Sequence, residues 1–366
     1  MEKCGITKFL ARKWKILITF ASKIMVLHVF NPEHDLALAS GLSNFTAPHA
    51  GRQLHADLAW MPALWAAPGD AVLVDSVDEA RRDFARLMHC PFSGFVVKSQ
   101  LSRLAITRVE PWGWDAALKA FLMRWGVPPE ACPSDAEIAD IRRLSHRRTA
   151  VDLLPKLRLP STVGESAMAD SLQAVSLLLT RWGRVVVKSP WSSSGRGIRF
   201  LCGSPDAYQT GWLSNVIRRQ GAVVVEPHYN NVKDFAVEFE RLDSGEVVCR
   251  GLSLFHTANG AYTGNILADK YEKREMISRY VPESLLTSVQ QSICQLLTAS
   301  LGSYRGPFGV DMMVVARPDA DGFMLHPCVE LNLRRTMGHA ALAIQRQGVM
   351  QVEYTDNHYK LKIRPL

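Results

Sequence analysis

Apolar residues first appear along the chain in short runs, separated by segments with helical spacing. "MVLHVF" (25–30) is apolar almost throughout and stops at Asn31-Pro32, the pattern of a buried strand. "GRQLHADLAWMPALWA" spaces its apolar residues as a helix does, "DAVLVD" predicts a short strand, and "VDEARRDFARLM" predicts a second helix. Strand–helix alternation of this kind predicts a parallel α/β layer, because each parallel crossover needs a covering helix. After the Pro-rich "VPPEACP" comes a further helix, with Ser134 or Asp135 as its N-cap.

From about residue 146 the pattern changes. "RTAVDLLPKLRLP" reads as a helix that ends before Pro160, and "SLQAVSLLLTRWG" as an amphipathic helix closed by Gly183. The strand "RVVVKSP", a Ser/Gly loop and the strand "GIRFLC" follow, then the helix "AYQTGWLSNVIRRQ" and the buried strand "GAVVVEPHY". Beyond it strands dominate. "DFAVEFERL" and "EVVCRGLSLFHT" flank the turn "DSG", while "FGVDMMVVARP" and "GFMLHPCVELNL" flank "PDADG", so both pairs predict antiparallel hairpins. The expected organisation is a basic extension (1–24), an α/β domain with a parallel sheet (25–145), and an α+β module of two lobes (146–225 and 226–366).

Composition narrows the class. Of 366 residues, 47% are hydrophobic, enough for two or three packed domains. Only 21% are charged and no low-complexity run occurs, which argues against extended disorder. The net charge of +8 invites a nucleic-acid reading, but residues 1–24 alone contribute +5 of it, and no basic run interleaved with aromatics occurs in the body. Seven cysteines are scattered without a C-x-x-C pair, as reduced cytoplasmic thiols are. The apolar stretch around Lys23 is too short on either side of that lysine to span a bilayer. The first 24 residues read as an extension ahead of the first strand, with a poor signal sequence or a basic amphipathic arm as alternatives. The expectation is a cytoplasmic protein with no nucleic-acid or membrane partner.

Three constellations carry chemistry. In "VVVKSPWSSSGRGIRF" (185–200) a lysine ends a buried strand and a Ser/Gly loop follows it. Glycines let backbone N–H groups approach phosphate oxygens, and serines donate further bonds; alone, the stretch is equally a plain hairpin turn. In "GVDMMVV" and "VELNLRR", Asp311 sits in one apolar strand, while Glu330, Asn332 and Arg334 share one face of another. Three hard oxygen ligands suit a Mg²⁺ held against substrate phosphates, and an arginine beside them neutralises phosphoryl charge. Ordinary polar positions on a half-exposed sheet are the alternative. In "VVVEPHYNNVKDFAVEF", Glu226-Pro227 ends a valine run and Asp234 opens the next strand, which also fits a simple crossing between lobes.

The order strand-Lys, Ser/Gly loop, strand-Glu-Pro, carboxylate, then Asp…Glu-x-Asn-x-Arg resembles the ATP-grasp superfamily over about residues 146–345. The resemblance implies a pre-ATP-grasp α/β domain followed by a two-lobed module that holds Mg-ATP. It implies that Lys188 contacts the α- and β-phosphates, that Ser192, Ser193, Ser194, Gly195 and Gly197 form a loop over them, that Glu226 lies against adenine and that Asp234 holds the ribose. It also implies two Mg²⁺ (with Mn²⁺ as an alternative) on Asp311, Glu330 and Asn332, Glu330 bridging, and places Arg334 next to the reacting carboxylate and γ-phosphate. Lys188 and Arg334 are then the catalytic residues.

The sequence departs from that pattern in places. Where the family carries a phosphate-binding lysine ahead of the "LP", this chain has Arg147 or Arg148. Asp234 stands where glutamate is common. Lys270 resembles a lysine directed at the γ-phosphate in some members, or is a solvated helix lysine. Glu33, His34 and Asp35, after the first strand, either contact an amine, a carboxylate or a metal, or their two acids are simply favoured by a helix dipole. His256 and Asn265 belong to an active-site rim or a solvated turn. The implied activity is an ADP-forming ligase joining a small-molecule or peptide carboxylate to an amine or thiol. A non-ligating nucleotide-binding protein or a phosphotransferase of the same fold is the alternative. Neither substrate is named by the sequence.

Overall fold

In a computed structural model of the chain, residues 25–192, 197–258, 261–317 and 321–365 are described; the basic segment 1–24 lies outside them. The first sheet is parallel, as the strand–helix alternation predicts: β1 (Met25–Val29), β2 (Ala71–Leu73), β3 (Phe95–Val96) and β4 (Ile106–Pro111), in the order β3-β2-β1-β4. Helices α1 (His34–Ser40), α2 (His49–Leu58), α3 (Val77–Met88) and α4 (Ala116–Arg124) run between and after these strands. The expected single helix over 51–66 is broken: α2 stops at Leu58, and a 3₁₀ turn with Pro62 near its start spans Met61–Leu64. Proline has no N–H to continue the ladder and crowds the preceding turn. The chain leaves β1 on one side for β2 and β3 and on the other for β4. The carboxyl ends of β1 and β4 therefore form a switch point, where open α/β sheets hold ligands, and α1 begins there.

Helix α5 (Asp135–Leu144) is capped by Ser134, whose side chain accepts from Glu137 N while Glu137 bonds back to Ser134 N. Although α5 lies before residue 145, its Ile141 and Leu144 pack in the core of the large sheet described below. Helix α6 (Arg148–Leu153) passes into a 3₁₀ turn (Leu154–Leu157) containing Pro155, so the α-helix ends earlier than Pro160.

A small lobe follows, with β5 (Ala167–Ala169), β6 (Arg184–Lys188), β7 (Ile198–Cys202) and β8 (Val223–Pro227) in the antiparallel order β5-β8-β6-β7. Helices α7 (Leu172–Trp182) and α8 (Ala207–Gln220) give it a core of its own, built on Val175, Leu179, Val185, Val187, Leu213 and Val223.

The large sheet contains β9 (Asn231–Arg241), β10 (Val247–Ala258), β11 (Ala261–Leu267), β12 (Gly306–Ala316), β13 (Phe323–Asn332), β14 (Gly348–Thr355) and β15 (His358–Arg364). Their order is β13-β12-β9-β10-β11-β14-β15, and β9–β10 and β12–β13 are the antiparallel hairpins that the turn residues predict. Three helices complete it: α9 (Lys270–Ser278), α10 (Glu283–Ser300) and α11 (Met337–Ala343). Phe235, Phe239 and Phe308 are fully buried in the same core as Leu286, Val289, Ile293 and Leu297 of α10. Each such side chain contributes about 1.5–3 kcal/mol when withdrawn from water. The last two strands turn back on the first sheet: Met350 and Leu361 share a core with Phe30, Trp60, Phe84 and Trp112. Among the described residues, no helix is long and apolar enough to cross a membrane.

Candidate functional site

Three valines carry β6 through the small-lobe core and leave Lys188 at its end, 4% exposed. Its Nζ donates to Glu226 Oε2 at 2.6 Å, from β8, and to the carbonyl of Val329 at 3.4 Å, from β13 of the large sheet. Burying an ammonium is costly unless it is paired, so Glu226 and the β13 carbonyl account for its position. Glu226, expected to lie against a nucleotide base, is here the counter-charge of Lys188.

Arg147 ties the same two bodies together. Its Nη1 donates to Ser192 Oγ at 2.7 Å and to the carbonyl of Ser189, and its Nη2 donates to Glu330 Oε1 at 2.6 Å. A guanidinium presents its donors in a fixed fork, which makes such a three-way bridge possible. Of the two arginines open to this role, Arg147 is brought to the site, while Arg148 is exposed.

The entry to the Ser/Gly loop is anchored at Trp191, whose Nε1 donates to the carbonyl of Arg142 at 3.1 Å; the Arg142 guanidinium lies over its ring at 4.3 Å. At the loop's far end, Ser189 N donates to Gly197 O at 2.8 Å. A Cβ on Gly197 would meet Ser192 Cβ at 2.4 Å, so only glycine fits that approach. Ser193, Ser194 and Gly195 lie outside the described residues.

On the large sheet, Asp311 and Glu330 are directly opposed across β12 and β13, and Asn332 Nδ2 donates to Asp311 Oδ2 at 3.2 Å. Burial, together with the facing carboxylates of Glu330 and Glu238, pushes the Asp311 carboxyl up to about 8. Two carboxylates forced together in this way, with an amide beside them, fit a hard divalent cation such as Mg²⁺. Among the described residues no group of three His, Cys, Asp or Glu side chains forms a ready cage. The sparse donor set suits an ion that keeps water and phosphate oxygens in its remaining positions.

Arg334, just past the end of β13, is held from the first domain. It forms a bidentate pair with Asp35, Nε to Oδ1 at 3.1 Å and Nη2 to Oδ2 at 2.8 Å, while Nη2 also donates to Asn332 Oδ1 at 3.1 Å. Burial works against both charges, but each outweighs it for the other: Asp35 is held below the usual carboxylate range and Arg334 above the usual guanidinium value. Asp35 is an acid in the first turn of α1, as a dipole reading has it, and it also reaches the site. Glu33 and His34 do not: Glu33 pairs with His55 at 3.0 Å, and buried His34 faces Asp115 at 3.4 Å. Asp35, Ser192, Glu330 and Asn332 border one small cavity.

The remaining candidates are more scattered. Asp234 lies at the start of β9, accepting from Asn231 Nδ2 at 2.9 Å. Lys270 begins α9 and lines a different cavity, together with Arg250 and Arg346. Asn265 is buried, donating to Ser253 Oγ at 2.8 Å, and His256 lies on the β10–β11 hairpin opposite Gly264. Sequence reasoning missed Glu238, which is fully buried, accepts from Thr336 Oγ1 at 2.8 Å, lies 2.9 Å from His339 Nδ1 and raises Asp311. Its signal was present: Glu238 shares the period-two face of Asp234.

No family model and no curated protein matches the chain. Solved structures do show similarity. N5-carboxyaminoimidazole synthetase from Staphylococcus aureus, solved with ADP, is similar over 91% of this chain and 83% of its own, at 12% identity and a TM-score of 0.47. Biotin carboxylase from Campylobacter jejuni, in a beta-gamma-ATP complex, is similar over 87% of this chain and 67% of its own, at 12% identity and a TM-score of 0.49. N5-carboxyaminoimidazole ribonucleotide synthetase from Thermus thermophilus is similar over 86% and 72%, at 13% identity and a TM-score of 0.44. At these identities the side chains of the chain itself carry the assignment of the site.

Proposed function

We propose that the protein is an ATP- and Mg²⁺-dependent ligase of the ATP-grasp type. In this reading a carboxylate oxygen of the substrate attacks the γ-phosphorus and ADP leaves. An amine or thiol then attacks the acyl carbon, loses its proton, and releases phosphate. One observation carries the reading: Lys188 and Glu226 from the small lobe meet Asp311, Glu330 and Asn332 from the large sheet, and Arg147 bridges the two, 2.7 Å from Ser192 and 2.6 Å from Glu330.

Arg147 and Lys188 supply positive charge for a polyphosphate, with Ser192 and Gly197 at the base of the loop that would cover it. Arg334, oriented by Asp35, is poised to neutralise charge on the transferring group. Asp311, Glu330 and Asn332 would hold Mg²⁺, which when bound offsets phosphate charge. The chain's own contribution is positioning and fixed charge. Asp234 is retained for the ribose and Glu226 for a place beside the base. Lys270 is left out, since it opens elsewhere. Six unpaired cysteines among the described residues support a cytoplasmic setting.

The test is ADP release measured over a matrix of carboxylates and amines, with Asp311→Asn and Glu330→Gln run beside the parent. Both variants should lose acceptor-dependent release, and parental turnover in both would sink the metal assignment. Lys188→Ala should weaken Mg-ATP binding. A stable phosphorylated product with no amide or thioester would point to the phosphotransferase alternative, and tight nucleotide binding without turnover to the non-ligating one.

A further inference from the structure

A second cavity, of about 840 Å³, shares no lining residue with the one bordered by Asp35, Ser192 and Glu330. It exists because the large sheet splits. Strand β11 pairs with β10 only from Phe255 to Ala258, and then continues against β14 at Asn265–Leu267. The Cys249–Leu252 stretch of β10 therefore has β9 on one side and no strand on the other. Helix α9 and the chain around and after α11 close the gap. Gly251, at φ +152°, keeps the wall bare: a Cβ there would lie 3.1 Å from Leu342 Cδ2.

The lining is cationic, with Arg250, Lys270, Lys273, Arg274 and Arg346 set against Asp269. The outer arginines are engaged: Arg250 with Glu240, Arg274 with Glu283, and Arg346 with the carbonyl of Leu87. Lys273 is different. It is 3% exposed, and its ammonium makes no hydrogen bond or ion pair among the described residues. Gln290, 5% exposed on the same lining, has its Nε2 buried without a partner. Burial lowers the Lys273 pKa, with Glu238 and Asp269 opposing. A buried amide donor without a partner, beside an unpaired ammonium in one positive cavity, is a costly arrangement that an anion would relieve. The volume is that of a small-molecule site.

We propose that this cavity binds a small anionic ligand, bearing a phosphate or a carboxylate, whose charged group is received by Lys273 Nζ and Gln290 Nε2. The site is independent of the nucleotide reading.

The experiment titrates inorganic phosphate and, in a separate arm, succinate into the full-length protein at constant ionic strength, following calorimetric heat and thermal midpoint. At least one probe should saturate at one per chain and raise the midpoint. Lys273→Met should weaken that binding at least tenfold, and Gln290→Leu by less. Lys188→Ala should leave it intact, which separates it from phosphate in the nucleotide cleft. Lys273→Met removes an unpaired buried charge and should fold at least as stably as the parent. If it does not fold, Gln290→Leu carries the same comparison. Saturation by phosphate alone identifies a phosphate-bearing ligand, and by succinate alone a carboxylate. Absence of saturation by either probe, equal affinity in Lys273→Met and Gln290→Leu, or loss in Lys188→Ala overturns the proposal.

Discussion

Asp35 and Arg334, 299 residues apart in sequence, form a bidentate ion pair that fixes the guanidinium beside Asn332. In the proposed reaction, an arginine pinned in this way keeps its charge where the transferring group would develop its own. Asp35→Asn is nearly isosteric but loses the charge and one acceptor. ATP affinity should change little, while acceptor-dependent ADP release should fall roughly 10²-fold, the scale of a small misplacement at a reacting centre. Nucleotide titration and steady-state ADP release on the same preparation separate the two, and parental turnover would remove the orienting role.

Arg147→Lys keeps the charge but cannot span Ser192 and Glu330 at once. Mg-ATP should bind about tenfold more weakly, the scale of one charge-assisted hydrogen bond. Arg148→Ala, at an exposed position, should bind as the parent does. Equal losses in both variants would mean that the wrong arginine has been assigned.

Asp311→Asn should separate stability from activity. In metal-free buffer the native Asp311 carboxyl holds its proton up to about pH 8, against 3.8 in its ordinary state. Folding therefore takes up a proton within that window, and stability falls as pH rises through it. Asparagine cannot ionise. In EDTA at pH 8.5 the variant should withstand more urea than the parent, with little difference near pH 4, although it should lose Mg²⁺-dependent turnover. A parent advantage at pH 8.5 would contradict the raised carboxyl.

His326 is buried with neither ring nitrogen hydrogen-bonded, and burial and Lys188 push its pKa down to about 3. The native state thus keeps it neutral while the unfolded chain protonates near 6.5. Stability is lost as pH falls from 6.5 towards 3, amounting to about 2 kcal/mol at pH 5. His326→Phe removes that contribution, so urea midpoints at pH 7.5 and 5 should lie closer together than in the parent. His146, pushed to about 4, acts in the same direction and should persist in the variant.

Legibility in the sequence followed the locality of the cause. Lys188 and Asp311 stand out because each interrupts an apolar strand, Glu330 and Asn332 because they share one face with Arg334, and Ser134 because its partner Glu137 is three residues away. Asp35 has a sufficient local explanation in its helix turn, so its partner 299 residues on stays hidden. Glu238 sits in an alternating strand, where a polar residue passes for a solvated one. Its burial comes from Thr336 and His339, placed there by long-range pairing. The β14–β15 hairpin had a readable turn, Asp356-Asn357, with both residues at positive φ. Its flanking strands alternate weakly because their apolar face meets the first sheet, not the large one.

That last contact decides which parts of the molecule share a core. Met350 and Leu361 share a core with the first sheet, and Arg335 donates to Glu110 at 3.2 Å and lies over the ring of Trp65. The first and large sheets are thus one frame. The small lobe has its own core and meets that frame at polar points such as Ser192–Arg147 and Lys188–Val329. The small lobe is thus joined to the frame by polar contacts instead of a shared core, and cutting away the final hairpin would weaken the frame on which it rests.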